Sequence, residues 1–258
     1  MARRWLFVRI HDSARTGPAS ANVPAVLPAV AGLVRAADPD ACLFFDRVDD
    51  PIGSAVEVWL DARPEVCDDA AALLGEPGEG WRASAAELVT RAVRHPYECG
   101  RDVTDELAAV SSEFALACGP GAGRDFDAAF GLAVAHLRGL AGLAVGDGRA
   151  LAFQWWLHWA DELSARRRVD LPVEAAMRAD DVPPEPVPHL RWYIARTAML
   201  VHARLAGEGL PPNYLLFAQA TATHQRLGLP ADAGAAAAHT VREEFARDSA
   251  LALAGRSA

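Results

Sequence analysis

Residues His95 to Arg101, "HPYECGR", crowd an imidazole, a phenol, a carboxylate and a guanidinium into one turn, immediately ahead of a run with helical spacing. Pro96 and Gly100 punctuate that turn. Tyr97 offers a proton donor and Glu98 an acceptor, the minimum for general acid–base chemistry. His95 and Arg101 stand close enough in sequence to tune or complement them. In an aromatic pocket the Glu98 carboxyl would rise toward the working pH. The same residues equally suit a turn that hydrogen-bonds the N-terminus of the following helix, so two roles stay open. A second cluster, "THQRLGLP", ends an apolar helix with His224, Gln225 and Arg226 just before Gly228 and Pro230. Cationic residues in a last turn also suit the helix dipole, which leaves that cluster two roles as well. Tyr193 beside Trp192, and Tyr214 after Asn213, are further phenol donors.

"FQWWLHWADEL" puts Trp155 and Trp159 on one helical face, with Trp156 and His158 turned elsewhere. Core packing accounts for part of this group, and an aromatic wall for a large ligand for the rest. His158, Asp161 and Glu162 lack a second histidine at the usual offset, so they read as a solvated face and no metal site is expected. Ser111 and Ser112 lie mid-helix without a nucleophile elbow. "GPGAGRD" follows a helix where phosphate loops follow strands.

The composition excludes more. All 25 basic residues are arginine, so no P-loop, Schiff-base or pyridoxal-phosphate lysine exists, and no cofactor is expected. A formal charge of −9 argues against nucleic acid, whose phosphates demand a basic stripe. Cys42, Cys67, Cys99 and Cys118 form no C-x-x-C pair. With neither a signal peptide nor a membrane-spanning run in sight, the expected location is cytoplasmic. Seven tryptophans and a helical second half permit a homodimer without requiring one.

The elements that must position these residues begin with a strand, "RRWLFVRIH", which alternates Leu6, Val8 and Ile10 against Trp5, Phe7 and Arg9. A helical run "VPAVLPAVAGLVRAA" follows, then two β-rich runs, "ACLFFDRV" and "SAVEVWLDA", joined by a hairpin signal. The opening is therefore β-α-β-β over residues 1–65. Residues 66–258 offer mainly helical spacing, at 84–94, 103–118, 125–142, 150–168, 189–207, 212–227 and 232–254. On this reading "ARRRVD" closes the 150–168 helix and complements its C-terminal dipole. The fold class is α+β, a small N-terminal sheet against a predominantly helical remainder, in a single domain.

In order along the chain, these pieces resemble the glutamate-elimination domain of class I lanthipeptide dehydratases. "RRWLFVRIH" and "LFFDRVDD" are similar to its opening, "PYECG" to its Tyr-Glu segment, and "THQRLG" to its late histidine-bearing motif. Stand-alone relatives of that domain include the pyridine synthases of thiopeptide biosynthesis. The resemblance implies a leader-bearing precursor peptide, with azoles and dehydroalanines in its core, as substrate. It implies a formal aza-cycloaddition between two dehydroalanines, with loss of water and leader. In that setting Tyr97, Glu98, His224 and Tyr193 would be catalytic. Trp155, Trp156 and Trp159 would stack on azoles, with His95, Arg101, Arg226 and Tyr214 beside the substrate. Two departures separate the activities. The strand "SAVEVWL" lacks the arginines that suit a glutamyl carboxylate, and Glu57 there would repel one. "TATHQR" displaces the histidine, with Thr221 or Thr223 in the earlier positions. A stand-alone elimination enzyme and a silent leader-binding subunit are the alternatives. The leader would add to an open sheet edge near Arg3, Arg4 and Arg9 if the first strand is outermost.

Overall fold

The computed structural model describes residues 3–12, 24–50, 53–75, 81–83, 87–89, 103–119, 125–178, 189–203 and 210–254. It is α+β and divides into two compact units, Met1–Pro120 and Gly121–Ala258. The division falls after a helix that the sheet recruits, well past the end of the β-rich opening.

Unit 1 holds β1 (Arg4–Asp12), α1 (Val26–Ala37), β2 (Cys42–Asp50), β3 (Gly53–Ala62), α2 (Pro64–Gly75), β4 (Trp81–Ala83), β5 (Glu87–Val89) and α3 (Val103–Cys118). The sheet runs β2-β3-β1, with β4 and β5 both pairing the far side of β1, and every pairing is antiparallel. Strand alternation sorts the side chains. Leu6, Val8 and Ile10 share a buried face with Val58 and Leu60. On the other face Trp5, Phe7, Phe44 and Trp59 cluster against Ala108 of α3, with Phe7 and Trp59 ring centres 4.5 Å apart.

β1 is therefore an inner strand, which corrects the expectation of an open edge there. Its arginines are engaged. Arg3, just ahead of it, donates to Asp61 at 3.2 Å and lies 3.4 Å from Asp38. Arg4 pairs with Asp68, and Arg9 with Glu57 directly across the ladder. Burial alone would raise the Asp38 carboxyl, but the Arg63 N–H at 3.0 Å and the Arg3 charge outweigh it and hold it below the usual range.

The outer strand at the hairpin end is β2, and α3 closes part of its edge. Ser112, fully buried, accepts the Phe45 N–H at 3.0 Å. The mid-helix serine thus has a structural task that its spacing did not show. Ser112→Ala leaves a buried N–H orphaned and should cost about 1–3 kcal/mol, read as a lowered denaturation midpoint. An unchanged midpoint would mean that water replaces the hydroxyl.

Unit 2 is helical: α4 (Phe126–Ala141), α5 (Gly148–Ala160), α6 (Ala165–Arg178), α7 (Leu190–Ala203), α8 (Pro212–Leu227) and α9 (Ala231–Ala254). α9 packs along α4, α5 and α6, and its Gly234-to-Ala238 stretch is small enough to let α5 approach closely. Asp125 and Asp147 cap α4 and α5 by accepting N–H groups from Ala128 and Arg149.

Three sequence expectations change. The helix expected at 84–94 contains strand β5 instead, and α2 was not foreseen. The helix expected at 150–168 is two helices, because Ser164 accepts the Arg167 N–H at 3.2 Å and starts α6. "ARRRVD" consequently opens α6 and does not close its predecessor. Arg168 nevertheless serves helix-end carbonyls, donating to the backbone oxygens of Asp161 and Leu163 at 3.0 Å. Arg167 instead ties α6 to α9 through Asp232 and spans to Glu174. No described helix is long and apolar enough to cross a membrane.

Candidate functional site

The interior of unit 2 gathers polar side chains where a helical bundle would ordinarily place apolar ones. On α8, Gln219, Thr223 and Arg226 fall at i, i+4 and i+7, so they share one face, and all three are buried. His136 of α4 and Tyr193 of α7 meet that face, both fully buried.

Thr223 Oγ1 lies 2.7 Å from the Gln219 carbonyl, which can only accept, so the threonine donates there. Tyr193 Oη lies 3.0 Å from Thr223 Oγ1, with the Gln219 side chain as a further partner. His136 Nε2 lies 3.0 Å from the same phenol. The chain links His136, Tyr193, Thr223 and the α8 backbone. Burial pushes His136 down to about 3, which keeps it neutral. Burial also pushes the Tyr193 phenol up, against weaker opposing effects from Thr223 and the Arg226 charge.

His224 sits beside this chain. Its ring stacks on Trp159, centres 4.4 Å apart and 15° from parallel, and lies 5.2 Å from the His136 ring. Burial first, and His136 second, hold it well below the usual histidine range. Neither ring nitrogen has a hydrogen-bond partner among the described residues. Gly234 of α9 also approaches Trp159: a Cβ there would stand 2.8 Å from the indole. Gly234→Ala should therefore displace Trp159 and destabilise by about 1–3 kcal/mol, measured by chemical denaturation. A neutral result would show that α9 shifts freely.

Such a cluster holds donors and acceptors, with the Arg226 guanidinium among them, in a low-dielectric interior, where each hydrogen bond is strengthened and each unsatisfied group is costly. It places a phenol and an imidazole in direct hydrogen-bond contact. Among the described residues no cluster of three or more metal-ligating side chains occurs.

Of the residues that the sequence singled out, the structure brings together Tyr193, His224, Trp159 and Arg226. Trp155 is fully buried in the same unit, as core packing requires. Trp156 is half-buried and stacks on Phe153, centres 6.1 Å apart, so the three tryptophans form no common wall. Tyr214 is 55% exposed at the start of α8. His95, Tyr97, Glu98 and Arg101 lie outside the described residues. His136 was missed, although a histidine on the apolar stripe of Leu132, Ala133, Leu137 and Leu140 was a legible signal. Glu57 also changes meaning, since Arg9 neutralises it and it is not the lone repelling charge that the sequence suggested.

No family model matches this sequence, and no curated protein does. Solved structures do match, over nearly the whole chain, and they give it the fold of a pyridine synthase. One is the pyridine synthase TbtD from thiomuracin biosynthesis, at 18% identity and a TM-score of 0.50, covering 95% of this chain and 98% of that one. Another is TsrL, at 11% identity and a TM-score of 0.57, covering 96% of each chain.

Proposed function

We propose that this protein is a thiopeptide-type biosynthetic enzyme that forms a pyridine-type ring and a macrocycle on a modified precursor peptide. The observation that carries the reading is the end-to-end likeness to TbtD, which leaves almost no part of either chain unmatched. Two dehydroalanines combine, one through the iminol tautomer of its preceding amide, and the six-membered ring then loses water and the leader as its amide. The balance requires no oxidant. Holding two distant alkenes together can supply about 7–11 kcal/mol of the barrier lowering. Tyr97 and Glu98 are the proton donor and acceptor of this scheme. Tyr193 and His224 are interior groups that brace the bundle around the reaction. The partner is the leader-bearing peptide, with azoles beside the half-buried Trp156.

Elimination of glutamate is the second reading, and one observation favours it. Arg9 places a guanidinium beside Glu57, so that sheet face does not carry a bare negative charge. Mass spectrometry separates the two. Purified protein is incubated with a leader-bearing peptide that contains azoles and two spaced dehydroalanines. A macrocycle lighter by the leader and one water, with free leader amide, is the expected result. An untouched peptide, with glutamate lost instead from a glutamylated-serine substrate, overturns the proposal in favour of elimination. Tight leader binding with neither reaction indicates a docking subunit.

A further inference from the structure

α5 is apolar on two sides. Leu151, Ala152, Trp155 and Trp159 turn inward and are buried. On the outer side Phe153 is 41% exposed and Leu157 is 48% exposed, so two large apolar side chains four residues apart face solvent along one row of the helix. Phe153 is held in place there. Its ring lies 6.1 Å from that of Trp156, 9° from parallel, and the Arg242 guanidinium sits 5.2 Å from its centre. A surface aromatic that is already ordered loses little freedom when something covers it.

The same row is charged at both ends. Four residues before Phe153 stands Arg149, exposed, whose guanidinium meets no carboxylate among the described residues. Four residues after Leu157 stands Asp161, whose side chain is 90% exposed. Asp161 caps α5 with helical backbone angles (φ −64°, ψ −28°), and its N–H reaches the Leu157 carbonyl at 3.2 Å, so the row runs unbroken from Arg149 to Asp161. Its carboxylate lies 3.7 Å from Arg168, a solvated pair that competes weakly for it. Rows of this i, i+4 kind are the ridges by which helices most often pack, crossing at about −50°. Laid antiparallel against itself, the row is complementary at every position. A two-fold axis midway between Phe153 and Leu157 sets each of them against the other in the second copy, and Arg149 against Asp161 at both ends. A parallel arrangement would oppose arginine to arginine and aspartate to aspartate, so charge selects the antiparallel one.

We propose that the outer row of α5 is a self-association surface and that its partner is a second copy of this chain, docked about a two-fold axis. The apolar pair at the centre supplies the affinity, and the solvated charges at the ends fix register and direction. A single helix row is a small interface, so the dimer is weak and depends on concentration. This goes beyond the ring-forming reading and does not rest on it.

Sedimentation of the full-length protein from about 5 to about 500 μM, a span that brackets weak association, should show a reversible monomer–dimer equilibrium. Arg149→Asp and Asp161→Arg should each weaken it at least tenfold, because either change sets like charge against like. Both put the new charge where the α5 dipole favours it, acid in the first turn and base at the last, so melting temperatures should hold. An equimolar mixture of the two variants should form heterodimers with the parental affinity, since every acid then meets a base. Leu157→Glu should abolish dimers from the middle of the row, and it makes the same test if either charge variant fails to fold. Monomer at every concentration, dimers indifferent to these changes, or charge variants that do not recover on mixing would each overturn the proposal. So would dimers lost only in Val173→Glu, which would assign association to the exposed stripe of Val169, Val173 and Met177 on α6.

Discussion

Acidification from pH 6.5 to pH 5 should destabilise the helical unit strongly, and His224→Leu should remove about half of that loss. His136 is pushed down to about 3 and His224 well below the ordinary 6.5, both by burial. The unfolded chain then binds protons that the folded one refuses. Stability is full above 6.5 and falls with pH until the folded imidazoles titrate. For each histidine this amounts to roughly 2 kcal/mol at pH 5, a large share of the 5–15 kcal/mol that typically holds a domain. Beyond burial, the neighbouring His136 imidazole, its ring centre 5.2 Å away, reinforces the direction for His224. Leucine gives up no hydrogen bond to a described residue, so at pH 7.5 the variant should be as stable as the parent or slightly more so. Melting temperatures of both proteins at pH 7.5 and pH 5 decide the matter. Parallel pH profiles would show that His224 gains a proton partner in the folded state. Because the variant is expected to fold, its rate of ring formation at pH 7.5 separately reports whether the imidazole is needed for chemistry.

The parts of the fold visible in the sequence are those whose side chains carry their own pattern. β1 declares itself by strict alternation, and β2 and β3 by a hairpin signal between apolar runs. α3 runs over the expected residues 103–118 because an apolar face repeats through its full length. β4 and β5 have three residues each and exist through their pairing with β1, which no local pattern encodes. α2 was legible after all, since Val66, Cys67, Ala70 and Leu74 form a buried stripe, but its acidic residues masked it. The break between α5 and α6 turns on one serine hydroxyl inside an otherwise continuous spacing. The interior cluster was half visible. Tyr193 and His224 stood out as chemical residues, whereas Thr223 and His136 acquire meaning only from contacts 30 and 57 residues away in sequence.

Glu98→Gln should give the largest effect of any single change. A positioned proton-transfer group contributes typically about 10²–10⁴-fold in rate, and glutamine keeps the shape of the side chain while abolishing its basicity. The competing role for Glu98 is to steady the N-terminus of α3 through its charge. That terminus already carries Asp105 and Glu106 in its first turn, with Asp105 fully buried, so a third carboxylate would add little there. The two roles separate in one pair of measurements. A catalytic Glu98 predicts a loss of at least a hundredfold in turnover with the thermal transition unmoved. A structural Glu98 predicts the reverse, near-normal turnover with a destabilisation of about 1 kcal/mol. Tyr97→Phe sharpens the distinction, because removing the phenol proton should flatten the alkaline limb of the pH–rate profile, which loss of a helix-capping turn would leave in place. Parental turnover in both variants would remove the pair from the mechanism and turn attention to the interior phenol and imidazole of Tyr193 and His224.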